Sequence, residues 1–259
     1  MIITTGEHDP VQSVARAKMI AEETGTDYVR RAGRSLEELK VRYGQRDILV
    51  ILENAIRLRG ETGQIMEFHP SMSFVRAKRV YRGESDPMLR VAKVQPGDTI
   101  VDCTAGLGAD SIMFAVGAGT TGRVISMESS FPLYMLLKAG LQSYQVSVEA
   151  FNEALRRIEV RHTDHLTGLR TLADQSVDIV YFDPMFRDPT LESASLSPLR
   201  SYANGAALSL EAISEARRVA RKAVVLKEKR DSGEFERLGF KLPDRKRTII
   251  TYGVMQLDC

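Results

Sequence analysis

Four consecutive residues after an apolar segment have the chemistry to hold and activate an amine. The run V-D-I-V-Y-F, residues 177–182, has the composition of a buried strand and is followed by Asp183, Pro184, Met185 and Phe186. The Asp183 carboxylate and the Pro184 carbonyl can each accept an N–H bond from an exocyclic amine of a nucleobase. Such bonds favour a tetrahedral nitrogen and stabilise the positive charge that develops as a methyl group arrives.

Phe186 distinguishes this interpretation from a simpler one. A strand that ends in a D-P turn explains Asp183 and Pro184 without any function, but it does not explain an aromatic residue in the loop that follows. We predict that Phe186 stacks on the base. Asp183, Pro184 and Phe186 are therefore the predicted catalytic residues.

A second stretch, residues 99–110, has the pattern of a ligand-binding turn between a strand and a helix. In its sequence, T-I-V-D-C-T-A-G-L-G-A-D, Gly106 and Gly108 allow the backbone to approach a ligand closely. The helix that follows would direct unpaired backbone N–H groups at the turn, which favours a carboxylate or a phosphate. Glu128 follows the next strand, where it could hold both hydroxyls of a ribose or be an ordinary exposed glutamate.

The turn departs from the dinucleotide-binding fingerprint. That fingerprint contains three glycines, G-x-G-x-x-G, and the third position here is Ser111. Asp102, at the end of the preceding strand, would repel a pyrophosphate but attract the ammonium or sulfonium of S-adenosylmethionine. These residues favour S-adenosylmethionine and leave a nicotinamide cofactor as the alternative. Asp164, after the third strand, could accept a hydrogen bond from an adenine amino group, and His165 would flank it or lie in a partly exposed loop.

Basic residues provide candidate contacts to an anionic substrate. Lys227, at the end of a later strand, could reach a phosphate or could pair with Asp183 or Glu228. The segment 187–200 begins with Arg187 and is rich in serine and proline, so it is interpreted as a lid over the target base or as a passive loop. The N-terminal candidates, whose basic members could equally form a solvated helix face, are His69, Arg76, Lys78 and Arg79.

Composition restricts the class of protein. The chain has 259 residues, 43% hydrophobic content and a net charge of +2, which suits one large or two modest folded domains. Its longest apolar run, residues 48–52, is far shorter than the roughly 20 residues that span a bilayer, and we expect a cytoplasmic protein. Cys103 and Cys259 lie far apart without metal-ligand spacing, so neither a disulfide nor a metal site is expected.

The order of predicted elements indicates an α/β protein in two parts. Residues 95–98 are the best boundary, between an N-terminal α+β region (1–94) and a larger domain (95–259). In the first part we predict a strand at 2–5, a capping box formed by Ser35 and Glu38, and a small hairpin or meander across 56–68. In the second, strands at 99–103, 123–127, 158–162, 177–182 and 223–227 alternate with helices at 111–116, 133–145, 151–157, 166–172 and 206–220.

The end of the chain breaks this alternation. Residues 240–242 and 248–255 form two late strands with no helix between them, so the pair must be antiparallel. The N-terminal region carries 16 Lys and Arg against 13 Asp and Glu, a small excess that would help to hold RNA. We therefore expect an open, mostly parallel sheet with helices on both faces, which binds its ligand at the carboxyl ends of the strands.

The motifs D-C-T-A-G-L-G-A-D, Y-F-D-P-M-F and V-V-L-K-E-K-R resemble those of the class I S-adenosylmethionine-dependent methyltransferases. The similarity is greatest to the RsmJ-type family, which methylates the exocyclic N2 amine of a guanine in bacterial small-subunit ribosomal RNA, and to its uncharacterised relatives in Gram-positive bacteria. It covers residues 95–259. It implies a Rossmann-like seven-stranded sheet, mostly parallel with an antiparallel last strand.

The resemblance also implies which residues contact the cofactor. Carried over by position, they are Ala109, Asp110, Glu128, Ser129, Asp164, His165 and Asp183. The predicted cofactor-binding set contains in addition the other residues of the turn, Asp102, Thr104, Ala105, Gly106 and Gly108.

Three departures from the family's pattern concern the substrate. Arg187 interrupts the usual D-P-M-F-P run, and Asp164 replaces a small hydroxyl residue. The family's histidine-arginine and glycine-rich stretch has its nearest counterpart in residues 68–79, F-H-P-S-M-S-F-V-R-A-K-R, which are basic but lack the glycines. These differences leave the particular RNA and the particular nucleotide open.

We predict an S-adenosylmethionine-dependent N-methyltransferase that acts on an exocyclic amine of guanine in ribosomal RNA by direct displacement, without a metal. The expected partner is RNA, either small-subunit ribosomal RNA or the subunit itself. The predicted substrate contacts are Phe186, Arg187, Lys227, His69, Arg76 and Arg79. The alternatives are a methyltransferase for a small molecule or a protein side chain, and a non-catalytic RNA-binding or ribosome-assembly factor with the same fold.

Overall fold

Two β-sheets lie on either side of residue 95. In the computed structural model, which describes residues 1–8, 10–184, 199, 201–202, 205–242 and 249–257, the first sheet has four strands and the second has six. The strands are β1 (Ile2–Thr5), β2 (Ile48–Ile51), β3 (Ile56–Arg59), β4 (Ile65–Glu67), β5 (Thr99–Asp102), β6 (Arg123–Glu128), β7 (Ile158–His162), β8 (Val177–Phe182), β9 (Ala220–Lys229) and β10 (Ile250–Gln256). The helices are α1 (Val11–Thr24), α2 (Leu36–Tyr43), α3 (Ser71–Tyr81), α4 (Pro87–Val91), α5 (Ala109–Ala118), α6 (Phe131–Ser143), α7 (Glu149–Arg156), α8 (His165–Arg170), α9 (Leu210–Val219) and α10 (Glu234–Leu238).

The N-terminal sheet has the order β1-β2-β3-β4, with β1 parallel to β2 and the other pairs antiparallel. The predicted strand at residues 2–5 and the hairpin across 56–68 are confirmed. Helix α2 begins with the predicted capping box, because Ser35 Oγ accepts from the Glu38 N–H (3.1 Å) and Glu38 Oε2 accepts from the Ser35 N–H (2.6 Å).

The larger sheet has the order β10-β9-β8-β5-β6-β7, and among these described strands only β10 runs antiparallel to its neighbour. The predicted open, mostly parallel α/β sheet is confirmed. Strands β6 and β7 follow β5 on one side of it in the sheet, and the next strand in sequence, β8, pairs with the other side of β5. This reversal leaves a crevice outside the carboxyl ends of β5 and β8, where open α/β sheets bind their ligands.

The expected seventh strand is reduced to a single bridge within the described residues. Residues 240–242 pair with the sheet only through the antiparallel bridge between Lys241 and Val254. A strand needs pairing over several residues, and residues 243–248 lie outside the described part of the chain. The predicted antiparallel relation between the two late segments is nevertheless correct.

A shared hydrophobic core joins the two sheets. Its buried members include Leu58 and Phe68 from the N-terminal part and Phe114 and Tyr181 from the larger part. Helix α6 approaches the N-terminal sheet closely, since a Cβ on Gly140 would collide with the ring of Phe68. The division at residue 95 therefore stays a prediction, although it separates the two sheets.

Candidate functional site

Backbone contacts join the two chemistry-bearing motifs at the crevice. Asp102, the last residue of β5, lies in register with Tyr181 of β8. The pairing continues beyond the strands, because the Cys103 N–H donates to the Tyr181 carbonyl (2.9 Å) and the Asp183 N–H donates to Thr104 Oγ1 (2.6 Å). The glycine turn and the D-P segment thus share one edge of the sheet.

The two glycines of the turn have different surroundings. Gly106 has φ +53° and Gly108 has φ +77°, a backbone region that favours glycine. A Cβ at Gly108 would lie 2.6 Å from Leu137 Cδ1, whereas a Cβ at Gly106 would meet nothing within 4 Å. Gly108 therefore allows close packing against α6, and Gly106 faces open space.

The turn is also held to strand β6. The Ala105 N–H donates to the Met127 carbonyl (3.1 Å), and Glu128 Oε2 accepts from the Gly106 N–H (2.9 Å). Glu128 Oε1 accepts from the Ser130 N–H (2.7 Å). Burial raises the pKa of this carboxyl, while its backbone hydrogen bonds act in the opposite direction. The predicted position of Glu128 beside the turn is where the structure places it, with the exposed Ser129 next to it.

The Asp102 carboxylate does not point in the predicted direction. Asp102 as a residue is 1% exposed. Its carboxylate accepts from the Thr104 N–H (3.1 Å) and from Ser111 Oγ (2.5 Å), which in turn accepts from Ser126 Oγ (2.8 Å). Burial raises the pKa of Asp102 to about 7. The expectation that this carboxylate faces a sulfonium is therefore corrected: it lies beneath the turn and fixes its shape.

Asp110 is likewise turned inward, on the first turn of α5. Its Oδ1 accepts from Arg76 Nη1 (2.7 Å), and its Oδ2 accepts from Tyr181 Oη (2.6 Å) and Lys227 Nζ (2.9 Å). Burial alone would raise the pKa of Asp110, but Lys227, Tyr181 and Arg76 together hold it below its ordinary value. Its side chain is thus occupied within the protein, while the neighbouring Ala109 is exposed.

Lys227 pairs with the predicted catalytic carboxylate. Its Nζ lies 2.7 Å from Asp183 Oδ2, so of the two interpretations of Lys227 the structure supports the ion pair. Burial raises the pKa of Asp183 to about 6, and Lys227 is the strongest opposing influence. Tyr252, which lies in register with Lys227 on β10, is near the same charges, and burial raises its pKa to about 12. The sequence motifs did not identify Tyr252, because strand register is needed to place it.

Arg76 does not have the substrate-facing position predicted for it. Its Nε and Nη2 donate to the two oxygens of Asp86 (2.8 and 3.0 Å), and its Nη1 donates to Asp110. This corrects the prediction, because the guanidinium is used within the protein. Arg79, one turn later, is on the surface beside Glu84 (2.8 Å), and the exposed His69 lies with its Nε2 3.3 Å from Tyr144 Oη.

Asp164 and His165 lie at the start of α8. Asp164 Oδ1 accepts from the Leu166 N–H (2.9 Å) and caps the helix. Asp164 Oδ2 lies 3.4 Å from His165 Nδ1, and the Asp164 side chain is 42% exposed. Burial lowers the pKa of His165, although Asp164 opposes this. One face of the Asp164 carboxylate is therefore open to solvent.

Several predicted residues lie outside the described part of the chain. They are Met185, Phe186, Arg187, the rest of the predicted lid apart from residue 199, and Cys259. Within the described ranges, no cluster of three or more His, Cys, Asp or Glu side chains could hold a metal ion. No helix in those ranges is both long and apolar enough to cross a membrane.

Known proteins resemble this chain over different lengths. Residues 36–236 match the family model described as "Putative SAM-dependent methyltransferase", where SAM is S-adenosylmethionine. The uncharacterized protein YpiP of Bacillus subtilis is 39% identical over 255 residues, which cover 98% of this chain and 99% of that protein.

Partial matches carry a more specific name. Ribosomal RNA small subunit methyltransferase J is 28% identical over 118 residues in Psychrobacter arcticus (43% of this chain) and 39% identical over 98 residues in Francisella tularensis subsp. novicida (38% of this chain). Each match covers only 38% of the enzyme's own length.

A solved structure agrees in fold. The S-adenosylmethionine-dependent methyltransferase of Neisseria gonorrhoeae superposes with a TM-score of 0.63 at 17% identity, over 99% of this chain and 96% of that one. The family match makes S-adenosylmethionine the cofactor and removes the nicotinamide alternative. The chain belongs to the family of S-adenosylmethionine-dependent methyltransferases.

Proposed function

We propose that this methyltransferase acts on an exocyclic amine of a guanine in ribosomal RNA. The observation that carries the proposal is the placement of Asp183 and Pro184 beside the glycine turn, tied to it through the Asp183 N–H and Thr104 Oγ1 (2.6 Å). The partial matches to ribosomal RNA small subunit methyltransferase J support the RNA substrate. In the proposal RNA is the partner, and the reaction needs no metal.

The residues around the turn fit S-adenosylmethionine. Gly106 faces open space, so the backbone there can approach a ligand. Glu128 provides carboxylate oxygens for the ribose hydroxyls, and the open face of Asp164 can accept a hydrogen bond from the adenine amino group. When bound, the cofactor supplies an activated methyl group on its sulfonium.

Asp183 and Pro184 act on the acceptor. The Asp183 carboxylate and the Pro184 carbonyl each accept one N–H bond of the amine, which orients its nitrogen toward the cofactor. As positive charge develops on that nitrogen, the carboxylate stabilises it. With its pKa raised to about 6, Asp183 is mostly ionised at neutral pH and can also take the proton that the nitrogen releases.

A guanine within RNA must leave its stack before it reaches this crevice. We propose that Phe186 stacks on the displaced base, and that Arg187, His69 and Arg79 contact the RNA. Arg76 and Lys227 are not among these RNA contacts, because both are paired within the protein.

Methyl transfer from labelled S-adenosylmethionine tests the proposal. The acceptors are isolated small ribosomal subunits, deproteinised ribosomal RNA, a protein fraction and a small-molecule pool. We expect label in RNA as N2-methylguanosine, and label only in protein or small molecules would reject the RNA substrate. Asp183→Ala should abolish transfer and still bind the cofactor in calorimetry; an equal loss of both would reject the amine-orienting role.

A further inference from the structure

A chain of five charged side chains connects the N-terminal region to the predicted catalytic carboxylate. It runs from Asp86 through Arg76, Asp110 and Lys227 to Asp183, and each link is an ion pair of 2.7 to 2.9 Å. We propose that Lys227 is a positioning residue that fixes and keeps ionised the Asp183 carboxylate, and that Asp110, Arg76 and Asp86 hold Lys227 in place. The inference rests on the proposed role of Asp183 in methyl transfer.

Lys227 holds one oxygen of Asp183 and leaves the other for the substrate. Its Nζ contacts Oδ2, and no described residue donates a hydrogen bond to Oδ1. Because the Asp183 N–H is bonded to Thr104, both ends of this residue are restrained. The carboxylate therefore presents Oδ1 in a fixed orientation, which is what an amine acceptor needs.

Asp110 restrains Lys227, whose four-carbon stem would otherwise be flexible. Asp110 Oδ2 lies 2.9 Å from Lys227 Nζ and also accepts from Tyr181 Oη, so the carboxylate cannot rotate freely. Its other oxygen accepts from Arg76, which Asp86 holds with a bidentate pair. Asp86 and Asp110 are 8% and 7% exposed, so water competes little for these bonds.

The charges around Asp183 explain why a cation is needed. Several elements that pack around Asp183 bring titratable groups close to it or to the ion-pair chain. These groups are Asp102 of β5, Asp110 of α5, Tyr181 of β8, Lys227 and Glu228 of β9, Tyr252 of β10 and Arg76 of α3. Three of these groups are carboxyls, two are tyrosine hydroxyls, and two, Lys227 and Arg76, are cations. Among the described residues, Lys227 is the cation in contact with Asp183. Without it, burial and neighbouring carboxylates would favour the protonated form of Asp183.

The network also gives the N-terminal region a part in the reaction. Arg76 lies on α3, and Asp86 is the N-cap of α4, so both belong to residues before the larger sheet. Ser73 adds a second tie, since its Oγ donates to the Ala109 carbonyl (2.9 Å) at the start of α5. The N-terminal region thus helps to position the catalytic carboxylate, whatever it contributes to RNA binding.

The titration of Asp183 tests the inference without any substrate. In the full chain labelled with carboxyl-¹³C aspartate, the Asp183 resonance is assigned as the one that Asp183→Asn removes. We expect Lys227→Met to move the Asp183 midpoint up by about 1 to 3 pH units, because an adjacent opposite charge lowers a carboxyl pKa by that amount. Lys227→Arg should restore most of the wild-type midpoint, and Lys227→Gln is the second variant if Lys227→Met does not fold.

Lys222→Met is the matched control. Lys222 lies on the same strand at its opposite end, where it pairs with Asp98 and Asp178 (3.3 Å). Its replacement should leave the Asp183 midpoint unchanged. An unchanged midpoint in Lys227→Met or Lys227→Gln, the variants that remove the positive charge, would overturn the inference.

The pH profile of methyl transfer separates the inference from the proposed function. The acidic limb of the wild-type rate should follow the Asp183 midpoint and move with it in Lys227→Met. If the wild type transfers no methyl group to any acceptor while the midpoint still shifts, the proposed function fails and the restraint on the carboxylate stands. If the enzyme is active but the midpoint does not depend on Lys227, only the inference fails.

Discussion

Glu128 Oε2 accepts a hydrogen bond of 2.9 Å from the backbone N–H of Gly106. The contact joins the end of β6 to the turn after β5, and it places a buried carboxylate at the point where the backbone faces open space. Each carboxylate oxygen can accept more than one hydrogen bond, so Glu128 can support the turn and bind a ribose hydroxyl together.

Glu128→Ala should weaken cofactor binding. Hydrogen bonds to a charged group contribute about 1.5–3 kcal/mol, so we expect the Kd for S-adenosylmethionine to rise about 10- to 100-fold in calorimetry. Glu159→Ala is the control, since Glu159 pairs with Arg123 on the surface and should leave the Kd unchanged. An equal Kd in the two variants would count against Glu128 as a cofactor ligand.

Gly106→Ala should affect binding more than stability. The positive φ costs an alanine about 1–2 kcal/mol, and the added methyl group enters the space assigned to the cofactor. Gly25→Ala is matched, because Gly25 also has a positive φ and open space around it but ends α1. Both variants should lose similar unfolding free energy in urea, and only Gly106→Ala should lose affinity. The assignment of the space at Gly106 would be wrong if the affinities of both variants matched the wild type.

Arg76→Met should destabilise the fold strongly. It leaves Asp86 and Asp110 buried with one fewer partner, and breaking a buried ion pair costs about 3–5 kcal/mol. Arg79→Met, on the same helix, removes a pair whose arginine is 61% exposed and should cost less than about 1 kcal/mol. Urea unfolding measures both changes. Similar losses in the two variants would mean that the buried network adds little stability.

Asp102 should make stability depend on pH. In the folded chain the pKa of Asp102 is about 7, well above that of an unfolded aspartate, so the folded state binds one more proton between about pH 4 and 7. The contribution of this group to the unfolding free energy is therefore present at low pH and falls as pH rises, by about 1.4 kcal/mol per unit.

Asp102→Asn removes that slope. The stability advantage of the wild type over the variant should shrink by about 2–3 kcal/mol from pH 5 to pH 7 in urea titrations. The packing around residue 102 should otherwise be conserved, because asparagine has nearly the same shape as aspartate but does not titrate. A difference that stays constant over this range would show that Asp102 is ionised throughout.

Local patterns predicted the fold because they depend on few neighbours. The sequence of β8 predicts a buried strand, and all its residues are buried; the Ser35 and Glu38 spacing predicts a capping box, and both of its bonds form. The paired motifs predicted that the turn and Asp183 share one edge of the sheet. Each of these inferences needs only strand order and a short segment.

Side-chain direction was harder to predict, because it depends on tertiary contacts. A basic residue on α3 is typical of a solvated surface, but Arg76 finds two buried carboxylates, one of them on α5. Asp102 points beneath the turn because the Ser111 hydroxyl donates to it there, and Ser126 Oγ in turn donates to Ser111 Oγ. Residues 240–242 have a strand-like composition, yet within the described part of the chain they pair through one bridge.

Mapping of methylated nucleosides in ribosomal RNA, by mass spectrometry in cells with and without the gene, tests the central claim most directly. We expect one guanine to lose its N2-methyl group when the gene is absent, and to regain it with the wild-type gene but not with Asp183→Ala. Identical modification maps in all strains would contradict the claim that this protein methylates a guanine in ribosomal RNA.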